Sequence, residues 1–152
     1  MSQIMSLANY VKRRNGVALG APHSMRNMLY RSFGAGSFAQ FWQHWNPIWG
    51  YYLARKVARP LSAVLPTWMA VIITFAVSGA LHDIAISLVK GRVVVLFSPW
   101  FVLMSLVVLA SRQPTLAFHQ SPWLLRASIN LFIILACLAV SLWLLPLLGY
   151  GH

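Results

Sequence analysis

Three long apolar runs constrain this chain more than anything else in it. Thr67 to Val89 reads TWMAVIITFAVSGALHDIAISLV, Val93 to Ala110 reads VVVLFSPWFVLMSLVVLA, and Ile129 to Leu148 reads INLFIILACLAVSLWLLPLL. Each has the length, about 17 to 25 mostly apolar residues, that crosses a hydrocarbon core as a helix. A helix also satisfies its own backbone hydrogen bonds where no water can. The expected fold class is therefore all-α, a multi-pass membrane protein with about three transmembrane helices (67–89, 93–110 and 129–148) preceded by short amphipathic interfacial helices. With 59% hydrophobic and only 9% charged residues, against about a quarter charged in soluble domains, the composition agrees.

Twelve Lys and Arg face a single acid, Asp83, for a formal net charge of +11. Such a balance is one mark of nucleic-acid binding, but the apolar content argues against nucleic acid and for a lipid bilayer as the partner. Eight of the twelve cations precede the first run, Lys90 and Arg92 follow it, and Arg112 and Arg126 lie between the second and third. Basic residues stay on the cytoplasmic side, so the N-terminus is expected there and the C-terminus outside, in a protein integral to the cell (inner) membrane. The first fifteen residues lack a continuous apolar h-region, and Lys12, Arg13 and Arg14 come after their apolar residues. No cleavable signal is expected. The one cysteine, Cys137, is mid-run and forms no intrachain disulfide.

Residues 1–60 read as a cytoplasmic or interfacial amphipathic region and 61–152 as the transmembrane helical domain. Ser24 is an N-cap candidate for MRNMLYRSF, with Met25, Met28, Leu29 and Phe33 on one face and Gly34 as the stop. GAGS then reads as a hinge, and Ser37 as the cap of a helix through Trp45. Asn46 before Pro47 reads as an N-cap and first-turn proline, opening a helix that ends at Arg59 before Pro60. The tryptophans and tyrosines of residues 38–56 fit an interfacial belt, and Arg55, Lys56 and Arg59 can snorkel to headgroups.

His82 is the strongest chemical signal, because an ionisable residue inside a spanning helix is costly and is by default a functional candidate. Ser78 and Gly79, one turn earlier, leave a gap beside the imidazole, which in its neutral form can take a proton from a hydroxyl. The competing reading is a small-residue seam against another helix. Asp83 lies about 100° around the helix from His82 and either faces a second polar cavity or caps and neutralises a neighbour. Asn46 alone is most simply a helix cap. Haem or metal ligation through His23, His44, His82 and His119 is disfavoured, since only His82 lies inside a span and bis-His ligation needs a second histidine at matching depth.

Order and spacing add to this. Phe41, Trp42, Trp45 and Asn46 form a Phe-Trp-x-x-Trp-Asn motif, and Ser78, Gly79 and His82 a Ser-Gly-x-x-His motif inside the following span. The pair resembles the membrane-bound O-acyltransferase (MBOAT) family, and Asp83 after the histidine is similar to the His-Glu ending of its wax synthase-like and sterol acyltransferase-like branches. The resemblance covers residues 24 to about 90, in the family's C-terminal catalytic half. It implies transfer of an acyl group from a thioester donor, acyl-CoA or an acyl-carrier protein as co-substrate, to a hydroxyl acceptor, with no metal or other cofactor. It also implies His82 as general base and Asn46 as the second catalytic residue, with Trp42, Trp45, Ser78, Gly79 and Asp83 binding substrate. Arg55, Lys56 and Arg59 are candidates for attracting a CoA phosphate, though their use as topology determinants is the simpler reading. Family members typically have eight or more spans enclosing a tunnel, so a homo-oligomer or a partner membrane chain is expected to complete the site. The alternative is a non-catalytic membrane scaffold or subunit that retains the motifs.

Overall fold

The computed structural model describes residues 5–147 and 149, and among them the chain is all-α with no strand. Four short helices come first: α1 (Leu7–Asn15), α2 (Ser24–Phe33), α3 (Phe38–His44) and α4 (Pro47–Leu53). A π-helical turn (Ala54–Ala58) joins α4 to α5 (Arg59–Ser62), and three longer helices follow: α6 (Thr67–Lys90), α7 (Phe97–Ala110) and α8 (Trp123–Leu147). With 24 and 25 residues, α6 and α8 are long and apolar enough to cross a membrane.

The span expected over 93–110 is corrected, since α7 has only 14 residues. At about 1.5 Å per residue it reaches about 21 Å, short of a ~30 Å hydrocarbon core. The missing residues make the reversal between α6 and α7. Gly91 ends α6 in the left-handed region at φ 63°. The Ser87 hydroxyl then accepts from Val94 N at 2.8 Å. Asp83 takes the backbone N–H groups of Leu96, Phe97 and Ser98, which fixes Phe97 as the first residue of α7. The hairpin closes tightly, because a Cβ at Gly79 would sit 2.7 Å from both Phe97 O and Ser98 Cα.

The core is built around α3. Phe38 and Phe41 are 0% and 1% exposed, and they cluster with Ala35, Phe101, Met104, Val108 and Cys137. Phe41 stacks on Trp45 with ring centroids 5.4 Å apart and meets Trp42 edge to face at 5.6 Å. For α3, the interfacial belt expected from sequence is thus corrected to the centre of the molecule. Large aromatics bury more apolar area than any other side chain, so a short helix carrying three of them, with a fourth at its C-cap, contributes most when inside. The compositional division at residue 60 therefore runs through one shared core.

The GAGS segment is clamped rather than a hinge. Asn130, itself 0% exposed, donates from Nδ2 to the carbonyls of Phe33 and Ala35 at 3.0 Å each. The Gly36 carbonyl accepts from Phe118 N at 2.8 Å. Gly34 does end α2, and its missing side chain makes room for the Trp123 indole, which donates to Tyr30 O at 3.1 Å. The cap of α2 is corrected from Ser24 to His23, at φ 62° with no side-chain bond. The Ser24 hydroxyl is instead taken by Asn15 Nδ2 at 2.8 Å. Ser37 caps α3 as expected, accepting from Gln40 N.

Asn46 caps α4 with Pro47 in the first turn, but the helix does not stop at Arg59. Proline at position 60 lacks an N–H and its ring crowds the carbonyl four residues back. The chain accommodates it by widening into the π turn, where the Arg59 N–H reaches Ala54 O, and then continues to Ser62.

Candidate functional site

A cleft of about 300 Å³ separates α1, α3, α4 and the π turn from α6 and α7. That volume is at the lower end of small-ligand pockets. Of the expected site residues, Asn46, Trp42, Trp45, Ser78 and His82 all line it. Gly79 and Asp83 do not. Gly79 is the contact point with α7, and Asp83, 7% exposed, receives four hydrogen bonds at the start of that helix. Its Oδ1 accepts from Leu96 N at 2.9 Å and Phe97 N at 2.7 Å. Its Oδ2 accepts from Ser98 N at 2.8 Å and Ser98 Oγ at 2.6 Å. What the structure gives these two residues is a structural use, a close helix contact at Gly79 and a carboxylate lent by α6 to cap α7. Such an acceptor satisfies orphan N–H groups and meets the positive end of the helix dipole.

Asn46 and His82 belong to different helices and are joined by a residue outside both motifs, Trp49. Asn46 has φ 39°, a left-handed conformation that asparagine tolerates better than most residues. Its Oδ1 accepts from Trp49 N at 3.2 Å. The Trp49 indole donates from Nε1 to Ser78 Oγ at 2.9 Å, and its ring meets His82 edge to face at 6.1 Å. The Ser78 carbonyl then receives His82 Nδ1 at 2.7 Å. A carbonyl oxygen only accepts, so Nδ1 carries the hydrogen, and Nε2 is the ring nitrogen left facing away from that bond. Phe97 and Phe101 complete the surround of the imidazole, with centroids 5.4 Å and 5.2 Å away.

The cleft has direction. Val71, Thr74, Phe75, Ser78 and His82 line it along α6, and Val71 to His82 spans about 16 Å at 1.5 Å per residue. On the facing side Phe101 lies beside His82, while Val108 and Arg112 line the other end. Arg14 from α1 lines the cleft too, donating to Gln43 Oε1 at 2.7 Å and lying over the Tyr10 ring at 5.3 Å. The cleft thus holds two arginines, while the only acid of the chain does not line it. Arg55, Lys56 and Arg59, the cations expected to attract a phosphate, do not line it; Arg14 and Arg112 do.

The other histidines among the described residues lie apart. His44 does not line the cleft; its Nδ1 donates to Arg14 O at 2.8 Å. Burial pushes the His44 pKa below its ordinary value, aided by the Arg31 and Arg14 charges and opposed by that hydrogen bond. His23 caps α2, and His119 is exposed against Gly36. Trp49, Arg14, Arg112 and Phe101 were not singled out as site residues from sequence. Of these only Trp49 carried a signal, three residues after Asn46 where an N-cap side chain meets a backbone N–H. Comparisons with family models, curated proteins and solved structures return no match for this chain.

Proposed function

We propose that the chain is a membrane acyltransferase of MBOAT type, moving an acyl group from a thioester donor to a hydroxyl acceptor. One observation carries the reading: Asn46 and His82, 36 residues apart in sequence, line a single cleft and are tied together through Trp49. In the reaction His82 Nε2 takes the proton of the acceptor hydroxyl as its oxygen attacks the thioester carbonyl carbon. The C–O bond forms, the C–S bond breaks, and the imidazolium returns the proton to the departing thiolate. Asn46 is within the same cleft to hold the donor. Bringing two reactants together in a fixed geometry is a large source of rate.

The donor's phosphates belong at the Arg112 end, about 16 Å of cleft away from His82, with Arg14 as a second cation lining the cleft. That end is the cation-rich one, where α7 ends and the N-terminal helices gather, so the donor enters from the cytoplasm. The chain is placed in the cell membrane with its N-terminus cytoplasmic, α6 and α8 spanning, and α7 as a shorter return packed on α6. Outward apolar side chains support this placement: Leu88, Phe132 and Trp143 are 79%, 70% and 68% exposed. Only 28% and 22% of the most apolar windows of α6 and α8 are buried within the molecule, unlike core helices of a soluble fold. The same surface is available for self-association or for a partner membrane chain that completes the enclosure.

The test is incubation of labelled acyl thioester with membranes holding wild type, His82→Ala and Asn46→Ala, with lipid and protein products separated. Transfer lost in both variants at equal protein level is the expected result. Unchanged transfer in both defeats the mechanism and leaves a non-catalytic scaffold as the better account.

A further inference from the structure

We infer that the site selects short acyl groups, two to four carbons long, and that Phe101 sets the limit; this rests on the acyltransferase reading. The carrier arm of the donor, its phosphates held at Arg112, must occupy the length of the cleft to bring its thioester to His82. What remains for the acyl tail is the space beyond the imidazole, and that space is walled. Trp49, Phe97 and Phe101 surround the His82 ring. Phe101 is held in turn by Trp42 and Phe75, which line the cleft beside it, at centroid distances of 5.7 Å and 6.5 Å. Trp42 and Phe75 brace each other edge to face at 5.0 Å. Phe101 is 9% exposed and part of the core cluster, so the wall has little freedom to retreat. A cleft of about 300 Å³ that also holds the carrier arm leaves little room beside His82 for a long tail. In an apolar pocket one methylene too many is rejected by a factor of about 10 to 200.

The experiment compares acetyl, butyryl, octanoyl and palmitoyl thioesters on membranes containing wild type, Phe101→Leu and Phe101→Ala, scored as relative kcat/KM. Wild type is expected to favour acetyl or butyryl over octanoyl by at least tenfold. Phe101→Leu, a smaller side chain that keeps the site apolar, is expected to narrow that ratio at least fivefold, and Phe101→Ala further. Phe101→Leu keeps the test decisive if the alanine variant does not fold. Equal or greater use of octanoyl or palmitoyl by wild type overturns the inference while leaving the acyltransferase reading in place, and so does an unchanged ratio in Phe101→Leu. No transfer from any of the four donors by wild type overturns both.

Discussion

Asp83→Ala is expected to be among the most destabilising single changes in this protein, and the reason is geometric rather than catalytic. The carboxylate receives Leu96 N, Phe97 N, Ser98 N and Ser98 Oγ at 2.9, 2.7, 2.8 and 2.6 Å. Removing it leaves three backbone N–H groups without their acceptor at a helix start packed against α6. The Ser98 hydroxyl can rotate to another partner, but the N–H groups cannot. A buried donor left unpaired costs about 1–3 kcal/mol, and loss of an N-cap in general about 0.5–2 kcal/mol. Partial hydration of the exposed reversal reduces the simple sum, giving about 3–5 kcal/mol. At about 2–4 °C per kcal/mol for a chain of this size, the melting temperature in nanodiscs should fall by about 6–20 °C. Asp83→Asn separates the contributions. Its one carbonyl oxygen can still serve Leu96 and Phe97, while its amide presents a donor to Ser98 N and the helix start loses its negative charge, so about half the loss is expected. The assay is thermal unfolding followed by intrinsic tryptophan fluorescence, with acyl transfer measured well below the melting point on the fraction that remains folded. A melting temperature within 2 °C of wild type for Asp83→Ala, on the same scale of about 2–4 °C per kcal/mol, would refute the capping argument. A full-length, stable Asp83→Ala protein without transfer would instead return Asp83 to the chemistry.

Gly79→Ala should separate α6 from α7, since its Cβ would meet Phe97 O and Ser98 Cα at 2.7 Å. Overpacking against backbone costs about 1–3 kcal/mol, and the same melting assay reads it. Asn130→Leu removes both hydrogen bonds to the carbonyls of Phe33 and Ala35 and should cost about 2–4 kcal/mol, from unpaired acceptors at about 1–3 kcal/mol each. Hydrogen exchange at residues 34–38 should rise with it. Trp49→Phe keeps the ring beside His82 but deletes the donor to Ser78 Oγ. Transfer should fall about tenfold through kcat, the equivalent of about 1.4 kcal/mol in the barrier, with little change in melting temperature. His44 gives a pH dependence. Its folded pKa lies below the ordinary value, so below about pH 6.5 the unfolded chain binds the proton first and stability declines as pH drops. His44→Asn, which retains a donor for Arg14 O, should flatten the melting temperature between pH 7 and pH 5.

Sequence patterns located the helices well where a local rule decided them. Asn46 with Pro47, Ser37, and Gly34 each act through neighbours within a few residues, and the apolar runs of α6 and α8 are long enough to identify by themselves. The errors came where a long-range partner overrode a local preference. Asn130 holds the GAGS backbone from 95 residues away, so a segment that reads as flexible is fixed. Ser24 gives its hydroxyl to Asn15, and the cap position passes to His23. Val93 to Leu96 are as apolar as the residues after them, but Asp83 and Ser87 draw their backbone into the turn, and no hydropathy measure contains that.

The aromatic stretch shows the same limit in the candidate site. Residues 38–56 contain side chains suited equally to a membrane interface and to a protein core, and composition weighs the two the same. The helix periodicity of α3 separates them only once its surroundings are known: Phe38 and Phe41 face Phe101 and Met104, while Trp42 and Trp45 turn toward the cleft. The core half of α3 thereby fixes the position of the cleft half, and the turn at Asn46 hands that position to Trp49. Because Trp49 holds Ser78 by its indole and Ser78 holds His82 by its carbonyl, the imidazole on α6 is oriented by a helix that begins in the core. Two motifs separated by the 32 positions from Asn46 to Ser78 are expected to act together only if something rigid joins them. Here that element is α4, and its first two turns also contain the residues a sequence reading assigns to anchoring.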